Sequence, residues 1–134
     1  MDTMTPTTHH LTIQQMAEHS GLSAHTLRYY ERIGLLARVA REGGRRCYAP
    51  GDVEWVRLLA CLRETGMGIR DMLRFVVVDG DERQIARTRL AQLEAHRDAT
   101  IARQRAVEES LRVIEWKVGR YRETVEAADE GGGA

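Results

Sequence analysis

The sequence predicts a mainly α-helical protein, with a small head of short helices and a β-hairpin followed by one long C-terminal helix. Glycine or proline interrupts the chain at short intervals as far as Gly80, whereas residues 81–127 contain one glycine and no proline. The composition, 43% hydrophobic and 30% charged, is typical of a folded, helix-rich chain. Residues 35–48 have no helical period, and the pair Gly43-Gly44, between "LLARVA" and "RRCY", favours a short hairpin.

We expect four segments in the 134 residues, which suffice for one compact domain and an extension. Residues 1–10 are predicted to be a disordered arm, 11–80 the head, 81–127 the long helix and 128–134 a flexible tail. No apolar run has the length of a membrane span, and the N-terminus lacks the apolar core of a signal peptide. Two cysteines without a Cys-x-x-Cys pair suit a reducing compartment. We therefore expect a cytoplasmic protein that makes no membrane contact.

The head begins with two short helices separated by a glycine. Thr12 and Gln15 have the T-x-x-Q spacing of a capping box at the start of the first helix, and Gly21 ends it. Ser23 is the predicted N-cap of the second helix, and Gly34 is its stop. Two short helices joined in this way indicate a helix-turn-helix, whose second helix normally lies in the major groove of DNA.

The second helix carries an aromatic and basic cluster, in the stretch "HTLRYYERIGLL". Adjacent helical positions point about 100° apart, so we assign Tyr30 to the core and Tyr29 to the surface. Arginine binds guanine or phosphate, and a tyrosine hydroxyl suits phosphate oxygens. The predicted DNA-facing side chains of this helix are His25, Thr26, Arg28, Tyr29 and Arg32. The alternatives are a solvated arginine face and two tyrosines that both belong to the core.

The formal net charge of zero conceals a basic region. Between Ser23 and Arg46 there are two acids and six arginines, at positions 28, 32, 38, 41, 45 and 46. A hairpin that ends in Arg45 and Arg46 could reach the DNA backbone beside the helix and act as a wing. After the hairpin, Pro50 and Asp52 suit the first turn of a third helix, and a fourth helix follows from Ile69.

A heptad pattern runs along the long helix. Alternating steps of four and three residues from Ala86 meet apolar side chains near both ends of the helix and polar ones at Arg97, Thr100 and Gln104. So long a stripe cannot be buried against so small a head, which predicts a homodimer. The alternative is that the helix folds back on its own head. The seam, as we call the predicted dimer contacts, consists of Leu90, Leu93, Val107, Leu111, Ile114, Val118 and Tyr121.

Two stretches, "LTIQQMAEHSGLSAHTLRYYERIGLL" and "GGRRCYAPGDVEWVRLLACLRETGMGI", closely resemble the MerR family of bacterial transcription regulators. The resemblance covers about residues 11–78 and extends in kind to the long helix. It implies a winged helix-turn-helix head and a homodimer joined by an antiparallel coiled coil. It also implies binding to the spacer of a pseudo-palindromic promoter, in double-stranded DNA, and distortion of that spacer for RNA polymerase.

Carried over by motif, the resemblance assigns DNA contacts to particular side chains of the helix and the wing. They are Thr26, Arg28, Tyr29, Arg46 and Tyr48. The chain departs from the family pattern at Ala49, where a small hydroxyl residue is common.

The family's metal-sensing branches have cysteines at the start of the long helix and after it, whereas this chain has none beyond Cys61. His96 stands alone, so we predict neither a metal site nor a cofactor. The setting of Cys61 resembles the branch that senses aldehydes and other electrophiles, and Arg57, one turn earlier, would favour the thiolate. The alternative is that Cys61 is a buried core residue. We interpret Cys47 as incidental.

These observations predict a dimeric, DNA-binding transcription regulator, possessing a stress sensor at Cys61. The alternative is a non-sensing architectural or excision-type protein that uses the same winged head. An enzyme is not expected, because no nucleophile–base pair, paired carboxylates or phosphate loop can be identified. A pure coiled-coil adaptor would leave Arg28, Tyr29 and Arg46 without a role.

Overall fold

The computed structural model describes residues 10–37, 40–42 and 45–132, and its account of 40–42 and 45–46 is limited to the backbone. The predicted N-terminal arm (apart from residue 10), the Gly43-Gly44 turn and the last two residues of the predicted tail lie outside this range. The chain divides into two compact units, Met1–Leu90 and Ala91–Ala134. The elements are helices α1 Ile13–Ser20, α2 Ala24–Ile33, α3 Pro50–Glu64, α4 Ile69–Val76 and α5 Glu82–Gly132, with strands β1 Ala40–Glu42 and β2 Arg45–Cys47.

The caps of α1 and α2 are those that the sequence predicts. The Thr12 hydroxyl accepts from the Gln15 amide at 3.2 Å, and the Gln15 side chain accepts from the Thr12 amide at 2.9 Å. The Ser23 hydroxyl accepts from the Thr26 amide at 3.0 Å. Both helices end at a glycine in the left-handed region, Gly21 with φ 83° and Gly34 with φ 92°. Side chains with a Cβ rarely adopt that conformation, so these glycines fix where the helices stop.

The predicted hairpin is present as a two-stranded antiparallel sheet. Ala40 pairs with Cys47, Arg41 with Arg46 and Glu42 with Arg45. At its base, Leu11 and Tyr48 exchange two backbone hydrogen bonds of 2.8 Å. The wing is therefore fastened to the segment that leads into α1.

Helix α3 begins with an alanine at its N-cap and is capped by Asp52 instead. Ala49 has the extended backbone of a cap residue but no side-chain acceptor. The Asp52 carboxylate accepts from the Ala49 amide at 2.9 Å, and the Asp52 amide donates to the Ala49 carbonyl at 2.9 Å. One half of a capping box is thus present, with Pro50 in the first turn.

Ala49→Ser should supply the missing half of that box. A serine hydroxyl at an N-cap accepts from a first-turn amide, and we expect the free energy of unfolding to rise by about 1 kcal/mol. Urea denaturation followed by circular dichroism measures this change. Ser23→Ala, which removes an existing cap, should lower the same quantity by a similar amount. If Ser23→Ala destabilises while Ala49→Ser changes nothing, the Asp52 arrangement already satisfies α3.

The core of the head lies where α1, α2, α3 and α4 meet the chain around the wing. Its largest enclosed side chains include Tyr30 and Tyr48, and the apolar faces of α1 and α2 pack together. Burial of this apolar surface is the main stabilising contribution to so small a head. The buried cluster consists of Ile13, Met16, Leu27, Tyr30, Leu35, Leu36, Tyr48, Val56, Leu59 and Met72.

Helix α5 is longer than the sequence suggests. We predict its end at Ala127, yet it continues to Gly132. Ala127 and Ala128 are strong helix formers, no proline follows, and the glycines begin only at Gly131, so nothing stops the helix earlier. None of the helices in the described part of the chain combines the length and the apolar character that crossing a bilayer requires.

Candidate nucleic-acid interface

Helix α2 is held by contacts on the side opposite to its charged residues. Leu27 and Tyr30 are buried, and α1 packs against both α2 and α3. The Nε of Arg57, on α3, donates to the carbonyl of His19 in the last turn of α1 at 2.9 Å. The chain after α2 is also fixed, because the amides of Leu35 and Leu36 both donate to the Tyr30 carbonyl. Helix α2 is therefore positioned on a packed support.

The outer face of α2 presents four of the five predicted side chains to solvent: His25, Arg28, Tyr29 and Arg32. The fifth, Thr26, is half-buried, and its hydroxyl accepts from the Ser23 hydroxyl at 3.0 Å. Thr26 is thus tied to the helix cap as well as lying next to the exposed face. The structure brings the predicted helix residues together as one basic, aromatic surface, which we call the α2 face.

The adjacent tyrosines separate as we predict. Tyr30 is 2% exposed and Tyr29 is 39% exposed, so the alternative of two core tyrosines is wrong. Burial raises the pKa of the Tyr30 phenol above its ordinary value, although the charge of Arg63 acts to lower it. Tyr30 therefore remains a neutral packing residue near pH 7. The Arg32 guanidinium lies 5.7 Å from the centre of the Tyr29 ring, which orients both side chains on the α2 face.

Of the three residues predicted to contact DNA from the wing, two lie on β2 and the third belongs to the core. Arg45 and Arg46 lie on β2, but the positions of their side chains fall outside the described structure. The assignment of Tyr48 to DNA contact is wrong, because its side chain is 1% exposed and belongs to the core. The backbone of Tyr48 closes the base of the wing through its bonds to Leu11, while its ring packs in the core.

Arg89, in the first turns of α5, makes a junction that the sequence analysis missed. Its Nε and Nη2 donate to the carbonyls of Phe75 and Val76 at 3.0 and 2.9 Å. Its guanidinium also lies 4.9 Å from the Trp55 ring centre, and Trp55 stacks on Phe75 at 5.7 Å. These contacts account for the extension of the first compact unit to Leu90, beyond the predicted limit of the head at residue 80. Arg89 lies off the heptad seam, so no sequence pattern marked it.

Within the described part of the chain, the seam residues on α5 are largely uncovered. No residue of this helix is buried. Leu93 is half-buried, and the other six, Leu90, Val107, Leu111, Ile114, Val118 and Tyr121, are exposed. A row of apolar side chains at heptad spacing in contact with water is the pattern of an interaction surface.

The two cysteines lie in different surroundings. Cys61 is exposed on α3, so the alternative of a buried core residue is wrong. Cys47 is half-buried at the end of β2. Within the described ranges, no three His, Cys, Asp or Glu side chains converge as metal ligands would.

Comparison with known proteins agrees with this geometry. Residues 11–74 match the family model of the MerR HTH family regulatory proteins. An HTH-type transcriptional regulator of Haemophilus influenzae is 43% identical over 74 residues, which are 53% of this chain and 55% of that protein. The chain therefore spans about half the length of this relative. The regulator HmrR of Rhizobium leguminosarum is 32% identical over 91 residues, covering 63% of this chain and 70% of HmrR.

The similarity extends to three dimensions and to the long helix. The crystal structure of HiNmlR, a MerR family regulator lacking the sensor domain and bound to promoter DNA, superimposes with a TM-score of 0.74 and 32% identity. The superposition covers 85% of this chain and 91% of HiNmlR. Each of these three proteins is a regulator. Because sequence and fold agree over nearly the whole of one such protein, this chain belongs to the MerR HTH family of regulatory proteins.

Proposed function

We propose that the protein is a transcription regulator that binds promoter DNA as a homodimer. The observation that carries the proposal is the α2 face, where Arg28, Tyr29 and Arg32 are exposed together on the second helix of a helix-turn-helix. The same fold in HiNmlR is bound to promoter DNA, which supports extending that partner to this chain.

Each group on the α2 face suits a particular contact with a duplex. An arginine fork can take both acceptors of a guanine in the major groove or clamp one phosphate. The Tyr29 hydroxyl suits a phosphate oxygen, and the ring contact with Arg32 reduces the number of orientations that binding must restrict. Arg45 and Arg46 on the wing would add contacts with the neighbouring backbone.

The exposed seam supports the homodimer. A second α5 is the simplest occupant of a heptad stripe on an uncovered helix, and two-fold symmetry would present two α2 faces to one duplex. Such symmetry matches a pseudo-palindromic site. We infer an antiparallel pairing of the two α5 helices, as the family resemblance implies.

The proposed mechanism of regulation is distortion of the promoter spacer, so that RNA polymerase engages both promoter elements. Bending a site of this size costs about 1–6 kcal/mol, and contacts from both heads must offset that cost. The firm support beneath α2, including the Arg57–His19 bond, suits a head that imposes a shape on DNA.

Cys61 is the proposed sensor for an aldehyde or another electrophile. Its exposure on α3 makes the thiol accessible to a reagent in solution. Arg57 is already engaged with the His19 carbonyl through Nε, so a reaction at Cys61 would occur one turn from a bond that positions α1. If that reaction displaces α1, the displacement would favour the conformation that fits distorted DNA.

Cys61→Ala should abolish induction by an aldehyde in a promoter–reporter assay and leave the affinity for promoter DNA within about twofold, because Cys61 lies outside the α2 face. Cys47→Ala is the matched control and should retain induction. An unchanged aldehyde response in Cys61→Ala would exclude Cys61 from the mechanism.

Footprinting on the DNA upstream of the protein's own coding region tests the main proposal. We expect one compact protected site between the two promoter elements, with enhanced cleavage at its centre where the duplex is distorted. Protection should weaken steeply as salt rises, because phosphate contacts release counterions. Extended protection without a defined site would instead indicate an architectural protein, and salt-independent absence of binding would reject DNA as the partner.

A further inference from the structure

The head contains a cavity of about 500 Å³ that the DNA-binding role does not use. It opens beside the base of the wing, and its walls come from several separate segments of the first compact unit. The residues that matter most here are Leu36, Ala37, Cys47, Trp55, Val76 and Arg89. The volume lies within the range of about 300–1,000 Å³ that is typical of small-molecule sites.

The cavity combines an apolar wall with one fixed cation. Leu36, Val76 and the Trp55 indole supply surface against which a flat apolar group can pack. The Arg89 guanidinium is held by its two bonds to the carbonyls of Phe75 and Val76, and none of the described residues accepts from its remaining nitrogen, Nη1. A donor that is already immobilised loses little freedom when a guest binds.

The acidic residue in the lining, Asp52, already has a structural role. Asp52 also borders the cavity, but its carboxylate accepts from the Ala49 amide at the start of α3. A bound molecule can therefore form a hydrogen bond with Arg89 more readily than with Asp52.

We propose that this cavity binds a small planar aromatic carboxylate. The ring would pack against Trp55 and Val76, and the carboxylate would accept from Arg89, whose fork geometry suits that group. Because the cavity touches the wing at Cys47 and α5 at Arg89, an occupant would bias their arrangement, a consequence that rests on the proposed promoter binding. Binding itself does not depend on DNA.

Isothermal titration of the DNA-free protein with 2-naphthoate tests the site. We expect saturable binding, one molecule per chain, in the micromolar to low millimolar range. Ala37→Trp places a large side chain at the exposed edge of the cavity and should weaken binding at least tenfold. Ala102→Trp, the same substitution at an exposed position of α5 outside the cavity, should leave binding unchanged.

A second probe separates the roles of charge and ring. The neutral 2-naphthylmethanol keeps the ring but lacks the carboxylate, and it should bind at least tenfold more weakly. Equal affinity for the two probes would overturn the assignment of a carboxylate. Absence of saturable binding, or equal binding by Ala37→Trp and the parent protein, would overturn the site. Footprinting without ligand is unaffected by these results, so failure of the site and failure of the proposed function are distinguishable.

Discussion

Leu111→Asp is expected to convert the protein from a dimer into a monomer. Leu111 is 53% exposed in the single chain and lies on the seam of α5. In a two-fold symmetric dimer the substitution places two carboxylates in an apolar interface, where an unpaired charge costs about 3 kcal/mol or more. That cost corresponds to a dimer weakened more than about a hundredfold. Sedimentation velocity over a concentration series measures it directly.

The matched control is Val113→Asp, two residues further along the same helix. Val113 is 62% exposed but does not follow the heptad steps, so the same change of chemistry there should leave the dimer intact. Promoter affinity should fall with Leu111→Asp and persist with Val113→Asp. Two heads that are linked in a dimer bind one DNA duplex more tightly than two separate heads do. The seam is incorrect if Leu111→Asp remains dimeric, or if Val113→Asp dissociates the protein equally.

The features that the sequence predicted are those determined by residues close together in the chain. The Thr12–Gln15 box, the Ser23 cap and the stop at Gly34 each depend on interactions within a few residues, and each is present. The separation of Tyr29 from Tyr30 follows from helix periodicity alone, given that Leu27 is buried.

The features that the sequence did not predict depend on contacts between distant parts of the chain. Tyr48 belongs to a motif associated with DNA contact, but its ring packs in the core and its backbone pairs with Leu11, 37 residues earlier. Arg89 joins α5 to α4 through two carbonyl groups and to α3 through the Trp55 ring, and backbone carbonyls have no signature in the sequence. The cavity is likewise a consequence of how several elements meet, and no single segment indicates it.

Arg28→Ala is expected to weaken promoter binding by about tenfold to a hundredfold, since a well-placed arginine contact to a base contributes about 1–3 kcal/mol. Arg28 is exposed on the α2 face, in the half of α2 nearer its N-terminus, the part of such a helix that normally contacts bases. Arg70→Ala removes the same charge from an exposed position on α4 and should change affinity by less than about threefold. Fluorescence anisotropy with the promoter duplex and with a scrambled duplex measures both variants.

The salt dependence of these titrations identifies what Arg28 contacts. If it reads a base, Arg28→Ala should lose affinity for the promoter but keep its affinity for the scrambled duplex, so that specificity falls. If it clamps a phosphate, affinity for both duplexes should fall together, and the slope of log affinity against log salt should decrease by about one. Should Arg28→Ala behave like Arg70→Ala in every respect, α2 does not enter the groove, and the exposed arginines are only a solvated face of the head.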